Sequence, residues 1–152
     1  MVELVLPNDA NTMGNVLGGR VMHWIDLAAA IVAHRHCRTE AVTASMDEVS
    51  FLAPIRVGQL AVIAARMTFV GRSSMEIRVD VQSEDLMSGE RRQTSTAYLT
   101  FVAVDKTGHP ATVPPLLYET EEEKREGRAA EARRAKRLQG RVLETPREIE
   151  QR

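Results

Sequence analysis

One acid stands alone in an apolar stretch. From Val21 to Ala33 the chain reads VMHWIDLAAAIVA, and Asp26 is its only carboxylate. A carboxylate among apolar side chains is costly unless it is paired, solvated by a pocket or protonated. Asn11 and two adjacent glycines, Gly18 and Gly19, come shortly before it. Glycine lets backbone approach a ligand closely, and a helix that begins there leaves its first amides unpaired. Asp26 follows Gly19 by two helical turns, so the two share a side of the helix. A carbonyl resting at the helix start can take a hydrogen bond from an amide near Gly19, helped by the helix dipole. A carboxylate farther along that side can activate water. The same residues admit a structural reading, in which Asp26 pairs with a strand amide or an arginine inside a core.

The elements that must position these groups follow from the pattern. Val2 to Leu6 predicts a short strand stopped by Pro7, and Asn8 to Gly19 a polar loop. Arg20 to about Arg35 predicts a helix. It is apolar on every side, which implies burial all round, and its end carries His34, Arg35 and His36, cations suited to a carboxyl terminus. Val42 to Phe51 is extended in type. Gln59–Val70, Met75–Gln82 and Arg92–Val104 predict three long strands. The turn Gly71–Ser74, the connection Ser83–Glu90 and the closing turn Asp105–Pro110 separate and end them. Met75, Ile77, Val79 and Val81 alternate with Glu76, Arg78, Asp80 and Gln82, one set per face. One helix before an antiparallel meander implies an α+β fold with the helix packed on the sheet. The composition changes at Glu119. Residues 119–152 form a charged segment in which EEEKREGRAAEARRAKRL predicts an exposed helix fraying into a tail after Gly140. The remainder, 1–118, reads as one domain.

Composition narrows the function. The 152 residues are 43% apolar and 27% charged, with net charge −1, which gives no electrostatic footprint for nucleic acid. Aromatics at 4% disfavour a stacking platform for single strands. The single cysteine, Cys37, allows no disulfide within the chain. No apolar run is long enough to span a bilayer and no signal peptide is visible, so a cytoplasmic protein is expected. There is no G-x-S-x-G elbow, no H-E-x-x-H and no G-x-x-x-x-G-K-[ST]. The four histidines have no cysteine partners in ligand spacing, so no metal site is expected. The turn Gly71-Arg72-Ser73-Ser74 offers a cation, two hydroxyls and close backbone approach. That suits a phosphate or pantetheine, and it also suits an ordinary hairpin turn.

Several segments resemble one family. PNDANTMGNVLGGRVMHWID at 7–26 is similar to the opening of the hotdog-fold acyl-CoA thioesterases, in particular the cytosolic acyl-CoA hydrolases. RHC at 35–37, VTASMDEVSFLAPIRVG at 42–58, RMTFVGRSSMEIRV at 66–79, YLTFVAVDKTGHP at 98–110 and PPLLYETEEEK at 114–124 resemble it too. The resemblance implies a hotdog fold, a long central helix wrapped by a curved antiparallel sheet. It implies homodimers joined edge to edge, assembled further into a trimer of dimers. It also implies hydrolysis of medium- to long-chain acyl-CoA to fatty acid and coenzyme A, with no cofactor beyond the substrate's own coenzyme A. The family's catalytic carboxylate falls on Asp26, its catalytic asparagine on Asn11 and its oxyanion amide on Gly19, while Gly71, Arg72, Ser73 and Ser74 take the coenzyme. Asn15 reads as a loop-shaping residue and Asp47 as a reserve carboxylate. Two other readings of the same fold are a non-catalytic acyl-CoA-binding module and an acyl-CoA dehydratase, the latter using His23 beside Asp26.

Overall fold

A computed structural model describes residues 1–143, apart from the side chains of residue 48 and of residues 141–143. The tail expected after Gly140 lies, beyond residue 143, outside the described residues. The chain divides into two compact units, Met1–Leu116 and a second from Leu117 onward.

The first unit is built on helix α1, Gly18–Cys37. It starts two residues earlier than the pattern predicts, because Gly18 and Gly19 adopt ordinary negative-φ backbone and join its first turn. It runs two residues further than predicted, to Cys37, and is followed by Arg38, which takes the left-handed conformation at φ 58. The Arg38 amide donates to the His34 carbonyl at 2.9 Å and closes the last turn.

Five antiparallel strands form one sheet in the order β1-β3-β4-β5-β2. They are β1 Val2–Leu4, β2 Glu40–Phe51, β3 Leu60–Val70, β4 Ser74–Glu84 and β5 Arg91–Val104. The first strand is shorter than predicted, since Pro7–Asp9 winds into a 3-10 turn. The long strands are in place, with β2 at one edge and β1 at the other. This is the α+β hotdog arrangement, one long helix against an antiparallel sheet.

The alternation in β4 decides which face packs on the helix. Met75, Ile77, Val79 and Val81 are fully buried, and Val21, Trp24, Ile25, Ala28, Ala29 and Ala33 of α1 lie in the same core. Glu76 departs from the expected outward pattern and is also buried. A bulge between Met67 and Phe69 frees Thr68 from the strand register. The Thr68 hydroxyl then donates to the Glu76 carboxylate at 2.7 Å, satisfying a group that would otherwise be costly to bury.

The second unit carries α2, Glu121–Leu143. Thr120 and Glu123 form a reciprocal cap. The Glu123 amide donates to Thr120 Oγ1 at 3.1 Å, and Glu123 Oε2 accepts from the Thr120 amide at 3.2 Å. Lys124 pairs with Glu121 at 3.0 Å along the helix surface. No helix among the described residues is long and apolar enough to cross a membrane.

Candidate functional site

The loop before α1 is held by backbone. Ala10 bridges Val16, and Asn15 bridges Arg56. The Val16 amide donates to the Ile55 carbonyl at 2.8 Å and the Val57 amide to Gly14 at 3.0 Å. Gly14 sits at φ +77, where a side chain would be strained. Asn11 closes the loop on itself. Its Oδ1 accepts from the amides of Met13 at 3.0 Å and Asn15 at 3.2 Å, an Asx turn. The acceptor end of Asn11 is therefore engaged, and its exposed Nδ2 remains a donor.

The start of α1 is open. Leu17 occupies the cap position and supplies no side-chain hydrogen bond. The Arg20 and Val21 amides both turn to the Leu17 carbonyl. The Gly18 and Gly19 amides donate to no group among the described residues. A Cβ on Gly18 would meet the Phe51 ring at 3.6 Å, whereas one on Gly19 would meet nothing within 4 Å. Both amides are thus unengaged among the described residues, and the space beside Gly19 is open.

Asp26 corrects two expectations. The helix is not buried all round, and its acid is only partly buried. Met22, Leu27 and Ile31 are 40–44% exposed, and His23 on the same side is exposed too. Strands β2 to β5 pack on the opposite face of α1, so the stripe from Gly19 through Asp26 to Ile31 stays open. At its margin runs the edge strand β2. From it the Thr43 hydroxyl donates to Asp26 Oδ1 at 2.8 Å. Among the described residues Oδ2 has no partner. Thr43 is the partner of Asp26 that sequence reasoning missed. A threonine in VTASM signals only strand propensity. Asp47, the reserve carboxylate, lies farther along β2 opposite Tyr98.

The candidate residues do not gather in one chain. The turn of Gly71, Arg72 and Ser73 links β3 to β4, with Ser74 already in β4. The Gly71 amide donates to Ser74 at 2.8 Å, and the Arg72 carbonyl accepts from Val113 at 2.9 Å. His36, at the last turn of α1, contacts the Pro114 carbonyl at 2.8 Å. The turn therefore lies at the carboxyl end of α1, and Asn11 lies at its amino end. A helix of this length separates them by about 30 Å. Asp26 sits between.

A cleft of about 410 Å³ opens at the amino end of α1. Gly18, Val21, Phe51, Ile55, Thr94 and Ser95 are among its walls, and Asp26 is not.

The thioesterase superfamily model matches residues 13–90, just over half of the chain. The uncharacterized acyl-CoA thioester hydrolase YkhA of Bacillus subtilis is 50% identical over 119 residues, 78% of this chain and 69% of that protein. The cytosolic acyl coenzyme A thioester hydrolase of Rattus norvegicus is 42% identical over 127 residues. That match covers 82% of this chain but only 33% of the rat protein, so the chain spans about a third of that relative's length. Among solved structures, an apo-hexameric acyl-CoA thioesterase superposes with a TM-score of 0.89 at 42% identity, covering 94% of this chain and 92% of that one. An acyl-CoA hydrolase of Staphylococcus aureus, in complex with butyryl coenzyme A and coenzyme A, gives 0.85 at 36% identity over 95% and 88% of the two chains. That enzyme has also been solved with an aspartate, an asparagine or a threonine replaced by alanine.

Proposed function

The chain belongs to the thioesterase superfamily, and from that premise we propose that it hydrolyses acyl-CoA to a free fatty acid and coenzyme A. The observation that carries the reading is Asp26, the only acid of α1, held by Thr43 on the open face of the helix with one oxygen unengaged. The three residue types replaced in the Staphylococcus aureus enzyme stand at the same intervals along that chain as Asn11, Asp26 and Thr43 do here.

In this reading Asp26 Oδ2 takes a proton from water as the water oxygen attacks the thioester carbonyl carbon. The developing oxyanion is held by the open amide at Gly19, with Asn11 Nδ2 as a second donor to the thioester or the water. Collapse breaks the carbon–sulfur bond, and the proton on Asp26 passes to the departing sulfur. Thr43 keeps the carboxylate turned toward the open face. The acyl chain, of medium to long length, runs into the cleft lined by Val21, Phe51 and Ile55, next to the Gly18 amide. The coenzyme's phosphates meet Arg72 and the hydroxyls of Ser73 and Ser74. Coenzyme A is part of the substrate, and the reaction uses no further cofactor.

The site is completed by a second copy. An antiparallel pairing of β2 with its twin, across a two-fold axis, sets the Glu40 end of one strand beside the Phe51 end of the other. One protomer's Asp26, Thr43 and 71–74 turn then approach the Asn11 loop and open amides of its partner. The exposed stripe of Met22, Leu27 and Ile31 gains a cover at the same time. A homodimer built further into a hexamer as a trimer of dimers accords with the hexameric relative. A cytoplasmic location is proposed on the rat relative named cytosolic.

The direct test is thiol release from a panel of acyl-CoA esters. Stoichiometric free coenzyme A and fatty acid are expected, and an enoyl product or binding without turnover overturns the reading. Thr43→Val should lower kcat about tenfold or more while the fold stays intact, because it removes the hydroxyl and keeps the shape. Arg72→Ala should raise KM for acyl-CoA several-fold and spare kcat, since a phosphate contact remote from the thioester is uniform binding. Short thioesters without the nucleotide should not sense that change. Equal losses on both substrates would make the turn structural.

A further inference from the structure

Asp9 ties together three points around the amino end of α1. It is 9% exposed, on the 3-10 turn two residues before Asn11. Its Oδ2 accepts from the Leu6 amide at 3.0 Å. Its Oδ1 pairs with Arg20 Nε at 3.0 Å. Its main-chain carbonyl accepts from the Leu17 amide at 2.8 Å. Leu17 and Arg20 flank Gly18 and Gly19 on either side. One residue thus grips the chain immediately before and immediately after the two open amides, and it starts the loop that carries Asn11.

The need for such a grip follows from local chemistry. Leu17 cannot cap the helix with its side chain, and two glycines in the first turn carry the largest conformational entropy to be lost. Unrestrained, this turn would fray and the amides would wander. A carboxylate placed at the amino end of a helix usually takes the free amides itself. Here both oxygens of Asp9 are engaged elsewhere, by Leu6 and Arg20, so the turn is anchored and the amides stay free for a ligand.

We propose that Asp9, through its ion pair with Arg20, is a positioning residue for the hydrolytic reaction, setting Asn11 and the Gly18–Gly19 amides in one rigid frame. This rests on the hydrolysis reading above. Asp9 touches no substrate in this role. Its effect belongs to kcat, because a frame for transition-state donors matters most when charge develops on the oxygen.

The test uses the full-length chain with acyl-CoA. Asp9→Asn keeps the acceptor for Leu6 and removes the charge that holds Arg20. Arg20→Lys keeps the charge and loses the planar Nε donor. Both are expected to lower kcat about tenfold to a hundredfold, with KM within twofold and circular dichroism unchanged. In an Asn11→Ala background the same changes should cost far less, since a frame with one donor missing has less to align. Should Asp9→Asn fold poorly, Arg20→Lys, at a half-exposed side chain, carries the test alone. Wild-type kcat in Arg20→Lys, or losses that multiply fully with Asn11→Ala, would make the pair an ordinary structural tie and overturn the inference. Failure of the hydrolysis reading looks different. The wild-type chain itself would then release no thiol and no fatty acid from acyl-CoA, whatever Asp9 does.

Discussion

Asp26→Asn is expected to lower kcat by about two to four powers of ten, the usual cost of losing a general base. The substitution keeps the side chain's shape, and its amide oxygen still accepts from Thr43. Asp26 lies on the open face of α1, so the fold does not depend on its charge. The melting temperature should therefore stay near wild type, and KM should change little. Thiol release measured at saturating acyl-CoA checks it. Activity within a few-fold of wild type would remove Asp26 from the mechanism and return Asp47 to consideration. An acyl group trapped on Asp26 as a mixed anhydride in the wild type would turn the base into a nucleophile, with the same residue in a different role.

The second large effect is a recovery. Asn11→Ala and Asp26→Ala, each nearly inactive alone, are expected to regain roughly a quarter of wild-type activity when refolded together in equal amounts. Random pairing makes about half of the dimers mixed. A mixed dimer has one site with both residues and one with neither, provided each site draws Asn11 from one protomer and Asp26 from the other. The structure motivates that division. Asn11 is fixed at the amino end of α1, Asp26 turns toward Thr43 near the start of β2, and the cleft at the glycine pair does not include Asp26 among its walls. Sites made within one chain would recover nothing on mixing. Differently tagged chains that co-purify supply the control that exchange took place.

Much of the fold was legible in the residues. The period-two pattern of β4 placed Met75, Ile77, Val79 and Val81 in the core, where they are fully buried. The helix was legible from its apolar run, though not its ends. Glycine predicts a break by propensity, and here the pair instead forms the first turn. The burial of the helix was misread for a physical reason. An apolar side chain facing a sheet and one on an open helix face carry the same signature, so Met22, Leu27 and Ile31 could not be told from Ile25 and Ala29. Thr43 escaped because its hydrogen bond to Asp26 joins residues far apart in the chain. Asp9 escaped for the same reason, since neither its carboxylate pairing nor its grip on Leu17 leaves a spacing to read. Asn11 was legible as a loop residue before the glycine pair, but which end of its amide is free was not, because that depends on the amides of Met13 and Asn15.

The unpaired edge at β2 has a consequence for behaviour at dilution. A row of exposed strand amides and carbonyls beside an apolar helix stripe is a hazard in a lone chain, since any other strand can add to it. Pairing with an identical strand removes the hazard and, in the proposed site, completes the catalyst in the same event. Survival in the crowded cell and turnover would then share one mass-action equilibrium. Specific activity should fall, and heat lability should rise, as protein concentration drops below the dissociation constant of the pair. A newly made chain would stay silent until it met its twin, which ties the onset of hydrolysis to the abundance of the enzyme itself.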